Sequence, residues 1–89
     1  MQPSPADALV SELFAKEQIA ALAALYDRFA HALDPFDPAR DAAEKVFEHD
    51  VAGWYDNLTP PKPTLQDFRK AIIVRCKRHL AATNKPTGI

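Results

Sequence analysis

The sequence predicts an all-α domain built from three principal helices, with no sheet. Apolar residues recur at spacings of three and four in three segments, and no six-residue window shows the clean alternation of a strand. The eight prolines lie outside these segments or at their first position, which places the helices at about residues 6–33, 38–58 and 64–83. With 89 residues, the chain 1–89 is expected to form a single domain.

The first helical region, residues 6–33, carries two apolar faces that do not line up. Its second half has an apolar stripe whose residues are alternately three and four positions apart: Ile19, Leu22, Tyr26, Phe29 and Leu33. Its first half has apolar residues on a different face, here called the N-terminal apolar patch: Leu9, Val10, Leu13 and Phe14. A bend near residues 15–17 would turn the region into two helices on one core, giving the domain four helices. Without a bend, the patch would be exposed.

Local propensity favours the straight helix, because residues 6–33 contain neither Gly nor Pro and are rich in Ala. A helix of that span would be about 42 Å long. A compact chain of this size has a radius of gyration of only about 12 Å. The helix would then overhang and need a partner, so the N-terminal apolar patch is a candidate partner-binding surface, with a homodimer as one form.

The second helix has clear start signals and an apolar stripe. Asp37 suits the N-cap position and Pro38 the first turn. The residues that we expect this helix to bury are Ala43, Val46, Phe47, Val51, Trp54 and Leu58. The proline-rich residues 59–63 that follow are incompatible with a helix and should be extended.

The third helix is expected to begin after Thr64, which forms a capping box with Asp67. Its predicted core stripe consists of Leu65, Phe68, Ile72, Cys76 and Leu80. Asn84 can stop the helix, and residues 85–89 are expected to fray.

Charge is divided unevenly along the chain. Residues 1–58 hold eleven of the twelve acidic residues and four of the eleven Lys and Arg, a net charge of −7. Residues 59–89 hold seven Lys and Arg against the single acid Asp67, a net charge of +6. The candidate residues for binding an anionic or acidic partner all lie on the third helix: Arg69, Lys70, Arg75, Lys77 and Arg78.

The wheel of the third helix separates Arg69 from the other four cations. Lys70, Arg75, Lys77 and Arg78 spread over the face opposite the core stripe. Arg69 falls inside the apolar sector, where we expect it to pair with a carboxylate. Its candidate partners are Asp27, Glu48 and Asp50.

Three explanations fit the basic helix: a solvated face, a surface for an acidic protein, or a surface for nucleic acid. The sequence pI of about 6.3 argues against nucleic acid. The charges are spread out, no aromatic residue lies among them, and no tight turn precedes the helix. Mimicry of nucleic acid by the acids of residues 34–56 is a weaker alternative, because Arg40 and Lys45 interrupt them.

No catalytic or metal-binding constellation stands out. The chain contains no Glu-x-x-His or His-x-x-x-His, and Arg75-x-x-x-His79 does not fit a known nuclease spacing. Cys76 and His79 could in principle form an activated thiolate, but Cys76 sits on the core stripe and should be buried and inert. We therefore expect no enzymatic activity, no cofactor and no metal site.

These observations predict a small interaction module that binds a protein partner or a second copy of itself, with nucleic-acid binding through the third helix as the alternative. No run approaches eighteen apolar residues, so no membrane association is expected. The single cysteine cannot form an internal disulfide, which is typical of a cytoplasmic protein.

Overall fold

The computed structural model describes residues 5–83, which form four helices and no strand. The helices are α1 (Pro5–Leu13), α2 (Lys16–Ala30), α3 (Pro38–Asp56) and α4 (Leu65–Thr83). The all-α prediction is confirmed, in its four-helix form. The expected stop at Asn84 and the expected fraying of residues 85–89 lie outside the described residues.

The first helical region bends at Phe14 and Ala15, which decides between the two open alternatives in favour of two helices, against the preference of local propensity. Ala15 has an extended backbone, with φ −71° and ψ 162°, and its N–H donates to Gln18 Oε1 at 2.8 Å. No Gly or Pro accounts for the break. Its cause is tertiary, because Phe14 is only 8% exposed and its ring lies edge-on to Trp54, with centroids 4.8 Å apart.

The bend corrects the interpretation of the N-terminal apolar patch as a partner-binding surface. Val10 and Phe14 are buried in the domain's own core, and Leu9 packs against that core. Leu13, at 44% exposure, is the one member of the patch left open. Because α1 turns back onto α4, no overhanging helix remains to argue for a homodimer.

Helix α2 lies at the centre of the fold, with α3 and α4 packed on it and α1 packed on α4. The largest fully buried side chains come from all four helices: Phe47, Phe68, Leu22, Ile72, Val10, Val51 and Cys76. Burying an aliphatic or aromatic side chain of this size stabilises the fold by about 1.5–3 kcal/mol each.

Three residues predicted to be buried are exposed instead. Leu33 is fully exposed because α2 ends at Ala30, before the stripe reaches it. Val46 precedes the buried Phe47 by one position and therefore lies about 100° around α3 from it. Leu65 is the first residue of α4 and extends past the packed part of that helix.

The predicted starts of α3 and α4 are confirmed, although only one of the two hydrogen bonds of the predicted Thr64–Asp67 capping box is formed. The Asp37 side chain accepts a hydrogen bond from the Ala39 N–H at 3.0 Å, and Thr64 Oγ1 accepts one from the Asp67 N–H at 3.1 Å. The Tyr55 hydroxyl donates to the Pro63 carbonyl at 2.6 Å. The end of α3 is thereby tied to the segment that leads into α4.

Replacement of Phe14 tests whether this residue of the N-terminal apolar patch packs in the hydrophobic core. Phe14→Ala should lower the free energy of unfolding by about 3–5 kcal/mol, because it empties a buried aromatic site. Leu13→Ala, one residue away and largely exposed, is the matched control and should cost less than about 1 kcal/mol. Urea denaturation followed by circular dichroism measures both. Equal, small effects of the two changes would contradict this packing.

Candidate functional site

Arg69, one of the five predicted anion-binding residues, is engaged within the domain. Its Nε donates to Glu48 Oε1 at 2.8 Å, and its Nη2 donates to Glu48 Oε2 at 2.6 Å. This confirms the expected internal ion pair and identifies Glu48 as the partner. The hydrogen bond with Glu48 raises the pKa of Arg69 above its usual value. Arg69 is therefore not available to a partner in this structure.

The other four cations of the set form no ion pair within residues 5–83. No acidic residue within residues 5–83 forms an ion pair with Lys70, Arg75, Lys77 or Arg78. The ion pairs of the N-terminal acids lie elsewhere: Asp27 binds His31 at 2.7 Å, and Arg40 binds Asp41 at 3.2 Å. Apart from Arg69, the cations of the set are thus not neutralised by direct contact with these acids.

The four cations do not share one surface. Lys70, Lys77 and Arg78 are exposed, and we call these three residues the basic face. Lys70 and Lys77 are seven positions apart and therefore lie on the same side of α4. Arg75 is half-buried and turned toward α2, so its placement with the others on the open face is corrected.

Two grooves border the basic face. The larger one, of about 460 Å³, runs between α1 and α4 and is lined by Asp7 and Asp67 as well as Lys70. Its mixed charge makes it a poor site for an anion. The second, of about 350 Å³, lies between the first turn of α2 and the last turns of α4. We call it the cationic groove, and its lining is Lys16, Ile19, Arg75, Arg78, His79 and Ala82.

Sequence reasoning assigned neither His79 nor Lys16 to an anion-binding site. Arg75 and His79 lie four positions apart on one helix, a spacing visible in the sequence. Lys16 comes from α2, and nothing in the sequence links it to residues about sixty positions later. The only available signal was the change in apolar phase near residue 15, which predicts a helix start beside Lys16 once the bend is accepted.

Cys76 is buried and does not form a reactive thiolate. Its side chain has no exposed surface, and desolvation raises its pKa from 9.0 to about 11. A thiol with that pKa is almost fully protonated at neutral pH and is a weak nucleophile. Within the described part of the chain, no three His, Cys, Asp or Glu side chains lie close enough to share a metal ion.

Comparison of the chain with protein-family models, curated proteins and solved structures yields no match. Over residues 5–83, none of the helices combines the length and apolarity that crossing a bilayer requires. A functional assignment therefore depends on the geometry of the site itself.

The raised pKa of Cys76 predicts a specific pH dependence of stability. The native thiol keeps its proton between pH 9.0 and about 11, where the unfolded thiol releases it. The unfolded state is therefore favoured as the pH rises through that window. The gap in unfolding free energy between wild type and Cys76→Ala should shrink by about 1 kcal/mol from pH 7 to pH 10. Urea denaturation at both pH values measures it, and a constant gap would refute the burial of this thiol.

Proposed function

We propose that this protein is a non-enzymatic binding module that uses the basic face of α4 to hold an acidic protein surface. One observation carries the proposal: Lys70, Lys77 and Arg78 are exposed on one helix, and no carboxylate of residues 5–83 pairs with them. Unpaired cations grouped on a rigid helix create a field that attracts and orients an acidic partner.

The composition supports a protein partner over nucleic acid. The chain carries a net charge of −1, and eleven acids lie in its first 58 residues. A long polyanion that crossed the basic face would extend toward these acids and be repelled. A compact acidic patch on a protein can contact the three cations and stop there.

The domain's own packing supports α4 rather than α1 as the contact surface. Val10 and Phe14 belong to the core, and their exposure to a partner would require α1 to leave α4. Cys76 is buried and protonated, and no hydroxyl or thiol of residues 5–83 hydrogen-bonds to a histidine ring, which supports a binding role over catalysis. A cytoplasmic location is part of the proposal and agrees with a single free thiol.

Fluorescence anisotropy with a labelled acidic peptide of about twenty residues tests the proposal. Binding should weaken sharply between about 50 and 200 mM salt, because it depends on charge pairing at an exposed surface. Lys70→Glu/Lys77→Glu should weaken it at least about tenfold. The matched control is Arg28→Glu/Lys45→Glu, which changes net charge equally at exposed sites on α2 and α3 and should have a much smaller effect.

Two results would overturn the proposal. Random duplex DNA or single-stranded RNA that binds more tightly than the acidic peptide, with the same sensitivity to Lys70→Glu/Lys77→Glu, would identify nucleic acid as the partner. Equal losses in both double variants would mean that overall charge, and not the basic face, governs binding.

A further inference from the structure

The cationic groove has a lining suited to a small, highly charged anion. Four of its six lining residues are basic or can become so, namely Lys16, Arg75, Arg78 and His79, and none is acidic. These four side chains come from two helices and face one space of about 350 Å³. Like charges repel when they are held together, so a bound anion would relieve the repulsion.

Arg75 carries an unmet hydrogen-bond donor. Its Nε is shielded from solvent and has no acceptor in the structure. Arg69 on the same helix shows the satisfied arrangement, with Nε and Nη2 both donating to Glu48. A buried donor without an acceptor costs about 1–3 kcal/mol. An oxyanion that enters the groove and accepts from Nε itself would recover part of that cost.

The first turn of α2 adds a further positive contribution at the rim of the groove. Its N-cap, Ala15, has no side-chain oxygen, and Gln18 caps only the Ala15 N–H. The amides of Lys16 and Glu17 have no side-chain acceptor in residues 5–83, so they contribute positive charge at this end of the helix. Lys16 lies at this end and lines the groove. Glu17 follows it, but its side chain is exposed and does not line the groove.

We propose that the cationic groove binds a phosphate monoester, and that on the acidic protein partner proposed above this group is a phosphorylated side chain. This inference rests on the proposed function, since Arg78 belongs to both the basic face and the groove. A phosphate is a dianion whose three free oxygens can accept from donors on α2 and α4 at once. A carboxylate offers two oxygens, which a single guanidinium already satisfies, as Arg69 does for Glu48.

Paired peptides separate the groove from the basic face. One acidic peptide carries a central phosphoserine, the second carries serine, and the third carries two additional glutamates that match the charge of the phosphate. Wild type should bind the phosphopeptide at least about tenfold more tightly than the charge-matched peptide, measured by isothermal titration calorimetry. A ratio near one would overturn the inference while leaving the proposed function intact.

Variants then locate the phosphate. Lys16→Gln/Arg75→Gln should reduce the preference for the phosphopeptide to near one and leave the affinity for the serine peptide almost unchanged. Lys70→Gln/Lys77→Gln, the matched control on the basic face, should weaken all three peptides and preserve the preference. The opposite pattern would place the phosphate on the basic face and overturn the inference. Lys16→Gln alone, at an exposed position, should still reduce the preference if the double variant does not fold.

A test with inorganic phosphate is independent of the partner peptide. In a titration followed by ¹H–¹⁵N correlation spectra, the largest shifts should occur at the amides of Lys16 and Glu17 and at the side chain of Arg75. These shifts should vanish in Lys16→Gln/Arg75→Gln. Shifts confined to Lys70 and Lys77, or no shifts up to tens of millimolar phosphate, would overturn the phosphate site even if no peptide binds.

Discussion

The burial of Phe14 is the contact on which the rest of this structure depends. Its ring lies against Trp54 on α3 and near Phe68 on α4, with centroid distances of 4.8 and 6.3 Å. An aromatic pair of this kind adds about 0.5–1.5 kcal/mol beyond the area it buries. The helix must be interrupted for Phe14 to make these contacts, so α1 ends at Leu13 and α2 begins at Lys16. Because α2 begins there, Lys16 and Arg75 line the same groove. The burial of Phe14 in the core thus also determines part of the cationic groove.

Structural features that depend on residues close in sequence could be predicted, whereas features that depend on contacts between distant residues could not. The starts of α3 and α4 followed from Asp37 and Thr64, whose side chains cap amides two or three positions away. The break at Ala15 opposes local propensity, since a helix through residues 6–33 loses no hydrogen bonds and meets no Gly or Pro. In the sequence, only the phase change of the apolar residues indicated this break. The interactions that stabilise it are the contacts of Phe14 with Trp54 on α3 and Phe68 on α4.

The same distinction applies to the charged residues. Arg69 was predicted to pair internally because a cation in an apolar sector needs an anion, although the sequence left three possible partners. Arg75 was placed on the open face because a wheel of α4 shows no neighbouring helix. In the structure α2 lies along that side, so Arg75 and His79 line one groove together with Lys16. The basic face lies on α4 alone and could be predicted from the sequence of that helix. The cationic groove lies between α2 and α4, so predicting it requires the relative position of the two helices.

The Arg69–Glu48 pair also has a consequence for how α3 and α4 can move. These two helices contact each other sparingly, because both pack mainly on α2. Apolar side chains alone would tolerate a small slide of one helix along the other. A guanidinium that meets both carboxylate oxygens tolerates much less, since a shift by one residue, about 1.5 Å, would separate the donors from their acceptors. Together with the ring contact between Tyr55 and Phe68, whose centroids are 5.7 Å apart, the pair therefore fixes the axial register of α3 against α4.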